Sequence, residues 1–287
     1  MQKKISTVNT LLDALPFIKD FAGETVVIKY GGSAQESDEL KAKFAEDVLL
    51  MYLVGIKPVI VHGGGKSITS LLNALGIHSE FVDGQRVTTK EAMKIAEMVL
   101  SGEINSEIVS LLNHCGAKAI GMSGKDAHFI KARPIDMEKL GYAGDITHVN
   151  AEVMQNIIKE KFIPVIAPIA SGDDTGHPGY NINADLAASE IAVALGAKKV
   201  IFLTDTPGVL DKEKNLLGSL TEAQIKELKR DGTISGGMIP KVDACLEAIH
   251  GGVAKAHIID GRIEHALLLE LFTSEGVGTQ IVSHDNA

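Results

Sequence analysis

The segment Pro58–Lys66 constrains the fold more than any other part of this sequence. A short apolar run, Val59–Val61, is followed by three consecutive glycines, Gly63–Gly65, and an apolar-periodic segment begins at Ile68. This order predicts a buried strand that turns abruptly into a helix. In a parallel α/β sheet, such a junction lies at the carboxyl end of a strand, where ligands bind. Glycines there let backbone N–H groups approach an anion, although a tight turn without a ligand remains the alternative.

Two familiar phosphate-binding motifs do not fit this turn. A Walker A loop would need a glycine at the position of Ile60, and the Rossmann fingerprint would need one at Ile68. The turn is therefore neither of these motifs.

Strands and helices alternate on both sides of this segment. Apolar β-branched runs predict strands, and apolar residues spaced three and four apart predict helices. The alternation is typical of an α/β fold with a mostly parallel sheet flanked by helices. The predicted strands are 25–30, 58–62, 117–122, 163–167, 199–203, 256–259 and 279–282, with a hairpin over 127–133 and 144–149; the predicted helices are 38–53, 89–114, 151–160, 183–196, 221–230, 238–250 and 264–271.

The chain is expected to divide into an arm and two lobes. Residues 8–21 form an amphipathic pattern before the first strand and predict a helical arm, kinked or broken at Pro16. The pattern is equally compatible with an arm that docks on another subunit and with a helix that packs on its own domain. The polar, glycine-rich stretch 171–180 is a predicted loop between lobes. We therefore expect an arm over 1–24, a first lobe over 25–178 and a second lobe over 179–287.

The composition of the chain limits the kinds of partner that it can bind. The 287 residues are 45% apolar, which is enough for a sizeable core, and the formal net charge of −9 argues against nucleic acid or an anionic membrane as a partner. The two cysteines, Cys115 and Cys245, lie in apolar helical patterns and are expected to be reduced. Neither a signal peptide nor an apolar run long enough to span a bilayer is evident, so we expect a cytoplasmic protein.

Two lysines occupy unusual positions. Lys29 lies near the end of an apolar strand and precedes Gly31 and Gly32, which favours a cation beside a phosphate; an edge lysine that reaches water is the alternative. Lys241 follows the Gly236-Gly237 turn and lies in the first turn of a predicted helix. A cation there opposes the helix dipole unless an anion is bound, although an exposed lysine would also fit.

Four further polar residues are open to a structural or a functional interpretation. Asn183 and Asp185 open a helix and could simply cap it, or Asp185 could orient the two lysines while Asn181 contacts a substrate. Arg86 lies in a turn, where its planar fork could bind a carboxylate or could simply face solvent.

These motifs occur together in one known family. Read in chain order, they resemble the acetylglutamate kinases of the amino acid kinase family, over about residues 8–282. The resemblance implies a three-layer αβα sandwich, with ATP as substrate and Mg²⁺ held by the ATP phosphates rather than by the protein. The motifs that carry it are 27–32, 61–65, 83–88, 181–185 and 236–241.

The resemblance also implies a role for each site residue. The amides of Gly64 and Gly65 hold the γ-carboxylate of N-acetyl-L-glutamate, Arg86 holds its α-carboxylate, and Asn181 contacts the same substrate. The lysines flank the migrating phosphoryl group and an aspartate positions them. The catalytic residues are thus Lys29, Lys241 and Asp185, and the nucleotide is bound by Lys29, Gly31, Gly32, Thr204, Asp205, Gly236, Gly237 and Lys241.

A second resemblance concerns regulation. The arm and the carboxyl-terminal stretch are similar to the arginine-inhibited, hexameric branch of these kinases, in which arms interlace dimers into a trimer of dimers. This implies an L-arginine site at His257, Glu270 and Gly276, although Glu270 could instead be an ordinary solvent-facing helix residue. Phe17 stands where this branch is expected to carry Tyr. A PII signalling protein is a further candidate partner.

The predicted activity is therefore ATP-dependent phosphorylation of N-acetyl-L-glutamate in arginine biosynthesis. Another amino acid kinase, with carbamate, aspartate, glutamate or UMP as acceptor, is the alternative within the family. A non-catalytic arginine or nucleotide sensor of the same fold is the alternative from another class.

Overall fold

The computed structural model describes residues 2–82, 84–174 and 176–283, apart from the side chains of residues 2, 3, 6 and 7. The helices are α1 (Gln2–Phe21), α2 (Asp38–Leu53), α3 (Gly65–Ala74), α4 (Lys90–Glu97), α5 (Asn105–Cys115), α6 (Met137–Leu140), α7 (Ala151–Lys159), α8 (Ala184–Ala194), α9 (Glu222–Arg230), α10 (Met238–His250) and α11 (Ala266–Phe272). A π-helix, Met98–Ile104, joins α4 to α5, and short 3₁₀ helices lie at Gly32–Gln35 and Asp126–His128.

The strands alternate with these helices as predicted. They are β1 (Thr25–Tyr30), β2 (Lys57–His62), β3 (Phe81–Val82), β4 (Gln85–Arg86), β5 (Ala119–Ser123), β6 (Ile130–Pro134), β7 (Ala143–Val149), β8 (Ile163–Ala167), β9 (Ile169–Ala170), β10 (Tyr180–Ile182), β11 (Lys199–Thr204), β12 (Ser219–Thr221), β13 (Lys255–Asp260) and β14 (Thr279–Val282).

The main sheet runs in the order β12-β14-β13-β11-β1-β2-β8-β5 within the described part of the chain. Its neighbouring strands are parallel except for β13 and β14. Helices cover both faces, and each face has its own apolar cluster. The three-layer αβα sandwich with a mostly parallel sheet is therefore confirmed.

The two-residue period of β1 decides which side chains meet which helices. Val26, Ile28 and Tyr30 pack into one apolar cluster, whereas Val27 packs into the other together with α8 and α10. Lys29 shares a face with Val27 because side chains two apart in a strand point the same way. The lysine is thereby directed towards the start of α8.

A smaller sheet, in the order β6-β7-β10-β9, crosses the predicted lobe boundary. The hairpin expected over 127–133 and 144–149 is present as the antiparallel pair β6–β7. The strand β10 follows the predicted boundary loop, which includes residue 175 outside the described ranges, and pairs with strands that precede it. The division into lobes 25–178 and 179–287 stays a prediction, as does the arm 1–24.

The helical arm differs from the prediction in two respects. Helix α1 begins at Gln2 rather than at residue 8, and it runs through Pro16 without a break. Proline removes only the hydrogen bond to the carbonyl of Leu12, and that stretch of the helix is exposed, so water can hydrate the freed carbonyl. None of the helices in residues 2–283 that the structure describes is long and apolar enough to cross a membrane.

Candidate active site

A cavity of about 620 Å³ lies at the carboxyl ends of β1 and β2. Helix α3 starts directly after β2 at the same edge, and α8 starts across the cavity from it. Eight of the predicted site residues line this one space: Lys29, Gly31, Gly32, Gly64, Gly65, Arg86, Asn181 and Asp185.

Two lysines share one buried carboxylate, and of these three residues Lys29 and Asp185 line the cavity. The Lys29 Nζ lies 3.1 Å from Asp185 Oδ1, and the Lys241 Nζ lies 3.1 Å from Asp185 Oδ2. Lys29 is only 9% exposed, so the alternative of an edge lysine reaching water is wrong. The structure thus brings together ammonium groups from residues far apart in sequence.

The start of α8 explains how Asp185 reaches both lysines. Asn183 caps the helix by accepting hydrogen bonds from the backbone N–H groups of Asp185 and Leu186. The cap leaves the Asp185 carboxylate free to face the lysines. Burial raises the pKa of the Asp185 carboxyl, but the two ammonium groups lower it further than burial raises it, so the group is ionised. Asn183 therefore caps the helix while the Asp185 carboxylate contacts both ammonium groups, and substrate contact by Asn181 stays a prediction.

The turn after β1 keeps space open beside Lys29. Gly32 has a φ of +71°, and a side chain there would meet the Asp205 carboxylate, which accepts a hydrogen bond of 2.6 Å from the Ser33 N–H. A side chain at Gly31 would contact the Lys29 ammonium. Only glycine satisfies both constraints.

The remaining residues predicted on the nucleotide side lie outside the described lining of this cavity. Thr204 ends β11 and is buried, and Asp205 follows it beside the Gly32 turn. Gly236 and Gly237 precede α10, and Gly237 is its N-cap. These two glycines therefore lie close to Lys241 in the chain.

Arg86 forms the other end of the cavity and is 5% exposed, so a solvent-facing arginine is wrong. Its guanidinium donates to Ser79 Oγ at 2.5 Å, and to Gly65 O and Thr69 Oγ1 at 2.8 Å each. All of these acceptors are neutral, and no described carboxylate forms an ion pair with it. Burial lowers the pKa of the Arg86 guanidinium, which nevertheless stays charged. The first residue of this motif, Asp83, lies outside the described residues.

Asn181 is connected to Arg86 by hydrogen bonds through a threonine. Its Nδ2 donates to Thr88 Oγ1 at 3.3 Å, and that hydroxyl donates to the Arg86 carbonyl at 2.9 Å. Thr89, the neighbouring residue, caps α4. Asn181 therefore lies beside Arg86 at the surface of the same cavity.

Sequence reasoning missed one wall of this cavity. Leu100 and Ile104 of the π-helix line it, and their side chains occupy the space that a side chain at Gly64 would need. A π-helix has no hydrophobic period of its own, and the signal available in the sequence was Gly102 within an otherwise helical pattern.

A second cavity of about 300 Å³ lies between α1, β13 and α11. The three residues predicted for an arginine site, His257, Glu270 and Gly276, all line it, together with Phe17 of the arm and Lys199. His257 Nδ1 lies 2.5 Å from Glu270 Oε1. Glu270 is 8% exposed, so the alternative of a solvent-facing residue is wrong.

The electrostatics of the second cavity are mixed. Burial raises the pKa of Glu270, but hydrogen bonds from His257 and from the Val277 N–H hold the pKa below its ordinary value. Burial lowers the pKa of Lys199 to about 8. This cavity therefore offers an ionised carboxylate and, on another wall, an ammonium group.

Together, these observations define an α/β protein with a cavity lined by cationic side chains and glycines at the carboxyl ends of parallel strands. The chain belongs to the amino acid kinase family, whose model matches residues 24–260. The family predicted from the sequence is thereby confirmed.

Several proteins are similar to this chain over nearly its whole length. A protein of Sulfurimonas denitrificans named acetylglutamate kinase is 72% identical over 98% of this chain and 99% of its own, and one of Nitratiruptor with the same name is 70% identical over 98% and 99%. Among solved structures, an N-acetylglutamate synthase of Neisseria gonorrhoeae, complexed with coenzyme A and N-acetyl-glutamate, superposes with a TM-score of 0.84 at 26% identity. This alignment covers 96% of the present chain and 63% of the longer synthase.

Proposed function

We propose that this chain transfers the γ-phosphoryl group of ATP to the γ-carboxylate of N-acetyl-L-glutamate, producing ADP and N-acetyl-L-glutamyl 5-phosphate for arginine biosynthesis. The observation that carries this proposal is the 72% identity, over nearly both full lengths, to a protein named acetylglutamate kinase. The charges at the two ends of the main cavity support it.

The chemistry explains why the cavity needs no general base. The acceptor is already an ionised carboxylate, so one of its oxygens forms the new O–P bond as the bond to ADP breaks, and no proton moves. The difficulty is to bring two anions into line and to offset the charge of the transferring group. Preorganised cations and N–H groups provide this.

At the phosphate end, we assign the ammonium groups of Lys29 and Lys241 to the transferring phosphoryl group. Asp185 holds both in place through the two 3.1 Å contacts. The open turn at Gly31 and Gly32 leaves room for phosphate oxygens beside Lys29. Mg²⁺ would arrive on the ATP phosphates and offset part of their charge.

Beyond the phosphates, the nucleotide is expected to extend towards β11 and α10. Thr204 and Asp205 follow β11, and Gly236 and Gly237 precede α10 beside Lys241. Their nucleotide-binding roles are proposals that rest on the family resemblance.

At the acceptor end, the two carboxylates of acetylglutamate would bind to two different kinds of donor. Gly65 is the first residue of α3 and Gly64 its N-cap, so their N–H groups have no partner within the helix and suit the γ-carboxylate. Arg86, whose acceptors among the described residues are all neutral, would bind the α-carboxylate through its fork. Asn181 would contact the same substrate.

The test is ADP release measured with a panel of acceptors. We expect release with N-acetyl-L-glutamate, and none above background with carbamate, L-aspartate, L-glutamate or UMP. Faster release with any of these four would reassign the acceptor, and no release with any acceptor would favour a non-catalytic sensor.

We also propose that L-arginine inhibits the enzyme by binding in the second cavity. The Glu270 carboxylate would bind the guanidinium, and Lys199 would bind the α-carboxylate. Glu270 already accepts from His257 and Val277, but a carboxylate has lone pairs to accept further hydrogen bonds. Phe17, without a hydroxyl, would contribute only apolar contact.

A matched pair of variants tests this site. Glu270→Gln removes the charge and should weaken arginine inhibition at least tenfold with little change in uninhibited turnover, whereas Glu264→Gln, an exposed residue just before α11, should not change it. Equal inhibition of the two variants would place the arginine site elsewhere.

The arm is proposed to interlace dimers into a hexamer. Its helix exposes Val8 by 53%, Leu11 by 66% and Leu12 by 57%, a row of apolar side chains that a second copy of α1 could cover. Deleting residues 1–22 should leave an active dimer that is less sensitive to arginine; a hexamer after deletion would contradict this role. The cytoplasmic location and the PII partner stay predictions.

A further inference from the structure

His62 and Asn105 form a buried polar pair behind the glycine turn. His62 ends β2 and is 0% exposed, and Asn105 begins α5 and is 4% exposed. Asn105 Nδ2 donates to the Val165 carbonyl at 2.9 Å and lies 3.1 Å from His62 Nε2, while His62 Nδ1 lies 2.9 Å from the Gly63 carbonyl. The described lining of the main cavity includes neither side chain, so neither would touch a ligand there.

The direction of every hydrogen bond in this pair follows from the Val165 carbonyl. A carbonyl can only accept, so Asn105 must turn its amide nitrogen towards Val165. The same nitrogen faces His62 Nε2, which must therefore accept as well. The ring proton is left on Nδ1, where it is donated to the Gly63 carbonyl. Burial lowers the pKa of His62 to about 4, so the ring stays neutral and keeps this tautomer near neutral pH.

The bond from His62 fixes the orientation of a peptide plane that faces the cavity. The peptide between Gly63 and Gly64 is trans, as are all peptides in the described residues. In a trans peptide, the carbonyl and the following N–H point to opposite sides. A Gly63 carbonyl held on the buried side therefore directs the Gly64 N–H towards the opposite side, where Gly64 lines the cavity.

A glycine turn needs such a restraint because its peptide planes rotate easily. Neither Gly63 nor Gly64 has a Cβ to limit its backbone angles. A rotated plane would present a carbonyl oxygen, rather than an N–H, to an incoming anion. On the other side of the turn, Leu100 and Ile104 of the π-helix close the space around Gly64. The π-helix leads directly into Asn105, so one segment supplies both restraints.

We infer that His62 is a positioning residue for the acceptor carboxylate: its Nδ1–H holds the Gly63 carbonyl so that the Gly64 N–H faces the acceptor, and Asn105 holds His62 in the tautomer that does so. This inference rests on the proposed function, in which the Gly64 amide binds the γ-carboxylate.

Two substitutions at His62 separate positioning from simple filling of the core. In His62→Asn, the amide nitrogen can take the place of Nδ1 and donate to Gly63. In His62→Gln, the longer side chain places its amide near Nε2, where it pairs with Asn105 but leaves the Gly63 carbonyl unbound. The thermal midpoint of each variant is measured first, so that kinetic effects are compared between folded proteins.

We expect kcat/KM for acetylglutamate to be about ten- to a hundredfold lower in His62→Gln than in His62→Asn, with the KM for ATP unchanged in both. If His62 only filled space and accepted the hydrogen bond from Asn105, kcat/KM would instead be lower in His62→Asn than in His62→Gln. Equal values for the two variants, or a parallel change in the KM for ATP, would overturn the inference.

A spectroscopic readout on the wild-type chain does not depend on any His62 variant folding. ¹⁵N NMR of the imidazole should show the Nδ1–H tautomer and no titration between about pH 5 and 8, and Asn105→Leu should abolish the single tautomer. An Nε2–H tautomer in the wild type would overturn the inference. The proposed function fails separately, if the wild type releases no ADP with acetylglutamate.

Discussion

The cationic side chains at the two ends of the main cavity differ in whether they have a counterion among the described residues. At the phosphate end, the Lys29 and Lys241 ammonium groups are matched by a carboxylate that both of them contact. At the acceptor end, the Arg86 guanidinium is buried against neutral oxygens, and no described carboxylate forms an ion pair with it. A buried cation without a counterion costs free energy that a bound carboxylate would recover.

This difference indicates a division of labour. The lysines are preorganised before any ligand binds, which suits groups that stabilise a transition state. Arg86 has no counterion among the described residues, and in the proposed mode of binding the substrate carboxylate would supply one, which suits a group that contributes binding affinity. Loss of a lysine should therefore lower kcat, and loss of the Arg86 fork should raise a KM.

The largest expected effect is at the phosphate end. Lys29→Ala or Lys241→Ala should lower kcat by roughly 10²–10³, or about 3–4 kcal/mol, as for the loss of one donor to a developing charge. ADP release at saturating ATP and acetylglutamate measures it. Wild-type turnover in both variants would refute the two-lysine arrangement. A raised KM with an unchanged kcat would mean that the lysines, like Arg86, contribute to binding rather than to turnover.

The next effect concerns stability and its dependence on pH. Asp185→Asn leaves two partly buried ammonium groups without a counterion and should lower the free energy of unfolding by about 3 kcal/mol at neutral pH. The pKa of Asp185 is held below its ordinary value, so the wild-type carboxylate contributes stability above the unfolded pKa and loses it as the pH falls through the folded pKa.

Denaturant unfolding of both proteins from pH 8 downwards checks this prediction. The difference between wild type and Asp185→Asn should stay constant to about pH 5. Below about pH 4 it should shrink, because the Asp185 carboxyl of the unfolded chain takes up a proton there while the folded carboxyl, with its lower pKa, is still ionised. A difference that changes between pH 6 and 8 would mean that another group controls it.

At the acceptor end, Arg86→Lys keeps the charge but loses the planar fork. We expect the KM for acetylglutamate to rise about tenfold or more, with a smaller change in kcat and none in the KM for ATP. Steady-state kinetics with each substrate varied in turn measures it. An unchanged KM for acetylglutamate would remove Arg86 from substrate binding.

The smallest effect should come from an ion pair at the rim of the same cavity. The Lys66 Nζ lies 2.6 Å from Glu36 Oε1, but the two side chains are 73% and 52% exposed. Solvent screens such a pair, so Glu36→Gln should lower the free energy of unfolding far less than Asp185→Asn does. A loss of unfolding free energy as large as that in Asp185→Asn, measured by denaturant unfolding, would show that this exposed pair stabilises the fold as much as the buried lysine–aspartate contacts.

The two ends also differ in how far the sequence predicted them. Lys29 and the glycine turn were found from local patterns, since an apolar strand followed by glycine is a signal within a few residues. The contact between Lys29 and Asp185 depends on the order of the strands in the sheet, in which β1 lies between β2 and β11. Sequence alone left the role of Asp185 open between capping a helix and orienting the lysines, and only the family resemblance favoured the second.

Contacts that lack a local signal were not predicted. Asn105 lies 43 residues from His62 and joins it through a π-helix that has no pattern of its own. A kink or a break is predicted at Pro16, and the helix continues through it without a break because an exposed helix tolerates the lost hydrogen bond. In each case, the deciding factor is either tertiary packing or access to water, which periodicity does not report.

Trapping the product with hydroxylamine tests the central claim most directly, because hydroxylamine converts an acyl phosphate into a hydroxamate. With ATP and acetylglutamate, the wild type should form hydroxamate in amounts equal to the ADP released, and Lys29→Ala should lower both together by roughly 10²–10³. ADP release without hydroxamate would mean that the phosphoryl group does not reach a carboxylate, and would contradict the account.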